Sequence, residues 1–572
     1  MVQIKFLQHL TFVMLFILFS LPNFIYSQNL KISYQGETNP SEIQWTLEQG
    51  KYKVTQDIDI HPSIVQNLLN NESLSIELIG ENGNVIIESP IKSLSSNHLK
   101  IQASSSIVVK NSIKILGGSL WLSVKRNKCA SGKILVDSKI DLSNNLGIGG
   151  DIYIEALDIV IRDKAGMNSQ GLYGGGNILI GGDWQGGAIT EKRILQNSTK
   201  LLQATQVLIT KNTVIDASAQ LRGNGGTVVV WSNVYIPESK TSVHGTIISK
   251  GGSAFGNGGK IETSGGTLDF KGIQVNIEAS DGSAGEWLLD PYNFFLDSAA
   301  LSTLSTALNS GNITFSTANS LNEGINSPSF TQTPTSNYLI GFPTTDYLIG
   351  KGHIVFLENF NYAGPDDRTL TLNANASIWL KAISTSGSGK LTLDLNASSG
   401  EVYIDNNINT NGGDINFNAI SANFQETSGI QEINTYGGEI NFNNTNIYAL
   451  NQSPDGDLKF NSASGNLNIG AGLMNLISYK KTIISPSIAY QSNGAVLGIG
   501  ANTDIGIDTE IGNEYALRLF YWDSWDNEYM SVSIDTEDYF KASYRIPPSY
   551  INSDSKGTFT LNALNHETDY SY

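Results

Sequence analysis

Gly225-Gly226-Thr227-Val228-Val229-Val230-Trp231 joins a Gly pair to a run of β-branched residues, and the same arrangement recurs along the chain. Gly pairs begin at Gly117, Gly149, Gly175, Gly225, Gly258, Gly412 and Gly437. Three places after the first Gly stand Leu120, Ile152, Ile178, Val228, Ile261, Ile415 and Ile440, all aliphatic. One place earlier stand Ser119, Asp151, Asn177, Thr227, Lys260, Asp414 and Glu439, all polar. Five places after it stand Leu122, Ile154, Ile180, Val230, Thr263, Phe417 and Phe442, of which only Thr263 is polar. Period-two alternation after a turn describes a β-strand with one apolar face. Gly reaches backbone angles closed to other residues, so each pair is expected to turn the chain sharply. One strand cannot bury its apolar face alone. Parallel stacking of copies can, and it closes the backbone hydrogen bonds as well.

The pairs are 32, 26, 50 and 33 residues apart over the first five and 25 apart over the last two. Steps of 25 and 26 read as one coil, 50 as two, and 32 and 33 as one coil with a surface insertion. A sandwich would show turns every ~8–12 residues without this longer period. An α/β fold would need helices between strands, and few stretches have helical spacing. The expectation is an all-β chain forming a right-handed parallel β-helix with short capping helices and a C-terminal β-rich segment. Ile64, Val65, Leu68 and Leu69 after Pro62 form one helical stretch, and Leu301, Leu304 and Leu308 the other. Each precedes a strand, Leu74 to Ile79 and Asn312 to Ser316. The first is read as a cap and the second as the cover of an interruption, because an open end leaves strand edges to aggregate.

Lys plus Arg is 35 and Asp plus Glu is 53, giving a net charge of −18. Such a chain repels phosphate backbones, which argues against nucleic acid as a partner. Charged residues are 15% of the chain, against about 25% in ordinary domains. Their place is taken by Asn, Ser, Thr and Gly, a surface suited to hydrogen bonding. Cys129 is the single cysteine, so no intramolecular disulfide and no Cys-based metal site is expected. It reads as a small buried apolar residue. Lys5, the apolar run Leu10 to Leu21 and Ser27 before Gln28 read as a signal peptide over residues 1–27. The remaining division is an N-terminal cap and first coils over 28–110, the β-helix over 111–477 with an irregular insertion around 291–365, and a C-terminal β-rich domain or cap over 478–572.

One ordered series goes beyond periodicity. It runs from Gly175-Gly176-Asn177-Ile178-Leu179-Ile180-Gly181-Gly182-Asp183-Trp184-Gln185-Gly186-Gly187 through Val214-Ile215-Asp216-Ala217-Ser218 and Gly225 to Ser232. It continues through Gly258 to Gly265, Trp287-Leu288-Leu289-Asp290-Pro291, Ala307 to Gly311, Leu370 to Ala374 and Gly412-Gly413-Asp414-Ile415. Over roughly residues 145–445 this series resembles the conserved central region of filamentous-haemagglutinin-like large exoproteins. The resemblance implies a bacterial protein, secreted or on the cell surface in association with the outer membrane, with a parallel β-helix shaft. It also implies an adhesive role toward a receptor on a host or neighbouring cell, a glycan among the candidates. Many members use an outer-membrane export partner that reads Asn-Pro-Asn type motifs; of such a motif this chain carries only Asn39-Pro40, followed by Ser41.

No catalytic, cofactor or metal site is expected. Trp184 and Trp231 beside Gly-Gly turns could stack on sugar rings, but packing at a coil corner is favoured. Trp287 to Pro291 reads as a terminator, since Pro291 discourages regular structure. The alternative function is a carbohydrate-active β-helix that binds or cleaves polysaccharide, which needs carboxylates about 5–9 Å apart on one face. The candidates are Asp366-Asp367, read as a solvated Gly-Pro turn, and Asp535, Glu537 and Asp538 on an alternating stretch. His9, His61, His98, His244, His353 and His566 lie far apart, with no ligand spacing. Asp455-Gly456-Asp457 reads as a turn. From about Ser478 the Gly-Gly unit stops, and Leu519 to Trp525 and Tyr529 to Ile534 read as a hairpin turned at Asp526-Asn527.

Overall fold

The computed structural model describes residues 28–43, 45–79, 82–124, 132–186, 201–236, 238–317, 352–424, 430–443 and 445–449, and strand segments between 457 and 561. The stretch read as a signal peptide, 1–27, together with Cys129, Asp455-Gly456, Asp535 to Asp538 and His566, lies outside these. The described chain is mostly β, its sheets are predominantly parallel, and it has two α-helices, α1 (Pro62–Asn71) and α2 (Ser298–Leu308).

The strands fall into units of three, and each unit adds one strand to each of three sheets. Leu120–Val124, Lys133–Val136 and Lys139–Asp141 make one unit, and Ile152–Glu155, Asp158–Ile161 and Gly166–Asn168 the next. Corresponding strands pair in parallel from unit to unit. The first sheet, built from the strands that follow the Gly pairs, is continuous by pairing from Lys51–Val54 to Leu467–Ile469. The second and third sheets run to Thr267–Asp269 and Gln274–Asn276. Two further parallel series then begin at Phe294–Leu296 and Phe360–Tyr362.

Register reproduces the sequence alignment residue by residue. Leu120, Ile152, Ile178, Val228 and Ile261 are successive Cα partners. The column continues through Trp287, Ile313, Leu370 and Leu393 to Ile415 and Ile440. All are buried. Burying one such side chain fully contributes about 1.5–3 kcal/mol, so the column drives the stacking. Thr263, the polar exception, is fully buried and its Oγ1 accepts the indole N–H of Trp287 at 3.1 Å. The exception supplies the partner that a core tryptophan requires.

Three expectations are corrected. The glycines serve mainly close approach rather than turning: Gly117, Gly412 and Gly437 have positive φ, but Gly149, Gly175, Gly225 and Gly258 do not. A methyl on Gly150 would lie 1.8 Å from the Gly118 carbonyl oxygen, on Gly176 2.1 Å from that of Gly150, and on Gly226 1.9 Å from that of Gly176. Stacked backbones at this corner leave no room for Cβ. The 50-residue step is one unit, not two, because Asn177–Ile180 is followed by Gln206–Ile209 and Val214–Asp216 before Thr227–Trp231. The surplus lies between residues 180 and 206. Finally, Glu286–Pro291 is a regular strand rather than a terminator. It pairs with Lys260–Gly265 through Pro291 but with Asn312–Ser316 only as far as Leu289, so the missing N–H of Pro291 falls where that ladder has ended.

Both helices form where expected. Pro62 opens α1 behind an N-cap at His61, and the Asp297 side chain caps α2 by accepting the Ala300 N–H. Helix α1 packs on Ile91–Ser93, the first strand of the third sheet, while α2 packs on Gln274–Asn276, the last, and on Phe360–Tyr362. Each helix takes the place of a third-sheet strand, and the strands after them, Leu74–Leu78 and Asn312–Ser316, both belong to the first sheet. At the N-terminal end Trp45–Glu48 pairs antiparallel with Lys51–Val54. Toward the C-terminus parallel pairing runs past the composition change at 478, to Lys481–Ser485 and Val496–Gly498. Phe559–Leu561 and Ser543–Arg545 then pair antiparallel with those strands. Antiparallel strands thus cover edges at both ends. The expected aromatic hairpin is formed by Arg518–Asp523 and Glu528–Ser533.

Candidate functional site

The outer face of the first sheet has two contrasting halves. Surplus residues follow the first-sheet strand at the same corner in several units, at 125–132, 181–205 and 232–239. Outward positions there are occupied by Trp121, Tyr153, Leu179 and Val229, all buried. With Leu201, Trp231, Val234 and the partly buried Trp184 they form a second apolar cluster, separate from the main core. Trp231 is fully buried against the backbone of Gly182 and Gly186, where a methyl on Gly182 would meet the indole at 2.4 Å. The Lys260 ammonium lies 5.5 Å from the Trp184 ring, and that of Lys100 3.6 Å from the Trp121 ring. Both tryptophans singled out in the sequence therefore pack in this apolar cluster beside the glycines.

Among the buried carboxylates of this half are Glu155, Asp183, Glu262 and Asp290. Glu155 accepts the Trp121 indole N–H at 2.8 Å and the Leu202 N–H at 3.1 Å. Asp183 accepts the Leu201 N–H at 3.2 Å. Glu262 accepts the Gln185 N–H at 2.8 Å and the Ser264 hydroxyl at 2.9 Å. Burial pushes Glu262 up to about 8, opposed by the Gln185 N–H and reinforced by the charges of Asp290 and Asp183. At neutral pH it is mainly a protonated acid. Glu155 and Glu262 fasten Leu202 and Gln185 to the sheet, with Gln185 held at φ 49° in the left-handed region. Sequence reasoning did not single them out. The signal for this half was present: four apolar residues at outward positions, beside the 50-residue step from Gly175 to Gly225.

The second half, from Asn312 onward, is polar and partly open. Thr371, Asp394, Asn416 and Asn441 are successive outward partners. Asp394 accepts from Thr371 at 3.2 Å and from Asn416 at 2.7 Å, and Asn441 donates to Asn416 at 2.8 Å. A parallel column joins Asn418 to Asn396 and Asn396 to Asn373, each at 2.7 Å. An amide has two N–H groups and an oxygen with two lone pairs. In Asn396 and Asn416 one donor and one acceptor site are spent along the column, and the columns repeat at the strand spacing of about 4.8 Å.

The other residues singled out do not converge. Asp366 pairs with Arg368 at 2.8 Å, and its carbonyl accepts the Tyr362 hydroxyl. Asp367 accepts the Lys390 N–H at 3.0 Å, so this turn is held by its own neighbours. His61 caps α1, His244 contacts the Lys271 carbonyl, and His353 accepts the Ser377 N–H. His98 is half-buried near Asp151 and is shifted down by burial. Among the described residues no group of three or more His, Cys, Asp or Glu is arranged to hold a metal ion, and no helix is long and apolar enough to cross a membrane. No protein-family model matches the chain, and no curated protein matches it.

Proposed function

We propose that the chain is a right-handed parallel β-helix of the filamentous-haemagglutinin-like type, acting as a secreted or surface-exposed bacterial adhesin without catalysis. The in-register succession of three-strand units supports the architecture. The adhesive reading rests on the outward Asn/Thr/Asp columns of residues 371–441. They offer many identical, weak hydrogen-bonding positions on a rigid support, the arrangement from which multivalent attachment gains strength. A hydroxyl-rich glycan on a host or neighbouring cell is the partner such an array would suit, and export would use an outer-membrane partner.

The test is to apply the purified chain to cells and to a panel of polysaccharides, reading binding and product release together. Saturable binding without release of reducing ends is expected, and Asn416→Lys should weaken it while leaving the circular dichroism spectrum unchanged. Release of sugar would favour the carbohydrate-active alternative. Binding indifferent to Asn416→Lys and to Asn396→Lys would remove the columns from the argument.

A further inference from the structure

A row of exposed apolar side chains crosses four successive units at the corner between the third sheet and the first. Leu146 is 75% exposed, Ile148 62%, Tyr173 52%, Leu221 39% and Phe255 64%. Turns at such a corner are ordinarily small or polar, and single exposed apolar residues carry no meaning, whereas a contiguous row does. The loops are tied rung to rung by their backbones. Tyr173 N–H donates to the Gly147 carbonyl at 3.1 Å, Leu221 N–H to that of Leu172 at 3.1 Å, and Ala254 N–H to that of Leu221 at 2.8 Å. The row therefore has the sheet spacing of about 4.8 Å per rung. In residues 142–150, 169–176, 217–226 and 251–259 the one side chain charged at neutral pH is Arg222, although the chain as a whole carries −18.

Charge fixes what this row fits. Arg222 is bridged to Phe255, and Gly256 to Asp281, so Arg222 and Asp281 lie one rung to either side of Phe255. Both are exposed, and neither makes an ion pair among the described residues. The other charges nearby, Lys250 and Glu278, pair with each other at 3.1 Å. A two-fold axis through Phe255 sets Arg222 of one copy against Asp281 of another, and the reverse, while the phenyl rings meet at the axis. A parallel arrangement would set Arg222 against Arg222. We infer that the Phe255 end of this row is a self-association surface, on which a second copy of the chain docks antiparallel, ring against ring, through two Arg222–Asp281 pairs. Contacts of this kind are isologous, with the same patch used twice.

The experiment is sedimentation velocity on the full chain at about 1–100 µM, the range suited to a modest interface. A dimer is expected. Phe255→Asp should abolish it, and Arg222→Asp or Asp281→Arg should each weaken it about tenfold or more. Arg222→Asp combined with Asp281→Arg should restore it, a recovery that mere damage to folding cannot give. Unchanged circular dichroism identifies the folded variants. A wild-type chain that stays monomeric overturns the inference, as does a dimer indifferent to Phe255→Asp or a double reversal no better than the single changes. Dimerisation is independent of the adhesive reading: a chain that binds no cell could still dimerise, and a monomer could still bind.

Discussion

Replacing Gly226 with alanine separates the two things a glycine can do. The added methyl would sit 1.9 Å from the Gly176 carbonyl oxygen. Carbon–oxygen contacts ordinarily close to about 3.3 Å, so the rungs must part by more than about 1 Å. The corner also holds two short backbone bonds, Gly226 N–H to the Ala217 carbonyl at 2.7 Å and Lys260 N–H to the Gly226 carbonyl at 3.0 Å. Overpacking costs about 1–3 kcal/mol and each weakened bond about 0.5–1.5 kcal/mol, which places Gly226→Ala at about 2–5 kcal/mol. Gly272 is the counterpart. Its φ is +76°, yet nothing lies within 4 Å of the position a Cβ would take. Alanine there meets only the left-handed backbone penalty, about 1–2 kcal/mol. Urea unfolding followed by circular dichroism should show Gly226→Ala as the more damaging change. If Gly272→Ala costs more and Gly226→Ala is close to neutral, the glycine pairs work by turning the chain and the close-approach argument fails.

Two further perturbations address buried polar groups. Thr263→Val keeps shape but strips the Trp287 indole N–H of its acceptor, at an expected cost of about 1–3 kcal/mol. Thr263→Ser should be nearly silent, and a Val change that stays equally costly in a Trp287→Phe background would refute the pairing. Glu262 is an acid with a usual value of 4.5 that folding pushes up to about 8. Between those values the folded state holds a proton that the unfolded chain has released, so stability falls as pH rises through that window, by an amount on the order of 3 kcal/mol. Glu262→Gln should flatten the dependence; equal slopes for the two proteins between pH 5 and 8 would count against the buried acid.

What could be read beforehand divides along a physical line. Inward positions of the first sheet obey a period of two and one rule of composition, so Leu120, Ile152, Ile178, Val228 and Ile261 could be aligned by eye and prove to be Cα partners. The helices were legible because Pro62 and the Leu301, Leu304, Leu308 spacing act locally. The 50-residue step was misread because spacing counts residues and cannot say whether a surplus adds a rung or folds back over one. Only the outward Trp121, Tyr153, Leu179 and Val229 signal that Trp184 and Leu201 pack over this face. The buried carboxylates were invisible for the related reason that an outward Glu262 is ordinary until something covers it.

The same comparison bears on which half of the sheet can act. In the covered half the chain's own groups consume the chemistry: both Glu262 oxygens and both Glu155 oxygens accept hydrogen bonds, and those from Gln185 and Leu202 tie these two residues to the sheet. A hydrolytic carboxylate pair must reach its substrate, and these reach the chain's own backbone. In the open half the polar groups are satisfied laterally, Asn to Asn across the rungs, which holds each amide in one orientation while leaving a donor and an acceptor site of Asn396 outside the column's own bonds. Lateral satisfaction therefore has opposite consequences at the two ends. It closes the half that carries buried acids, and it leaves the amides of the other half in an ordered array on the outer face of the sheet.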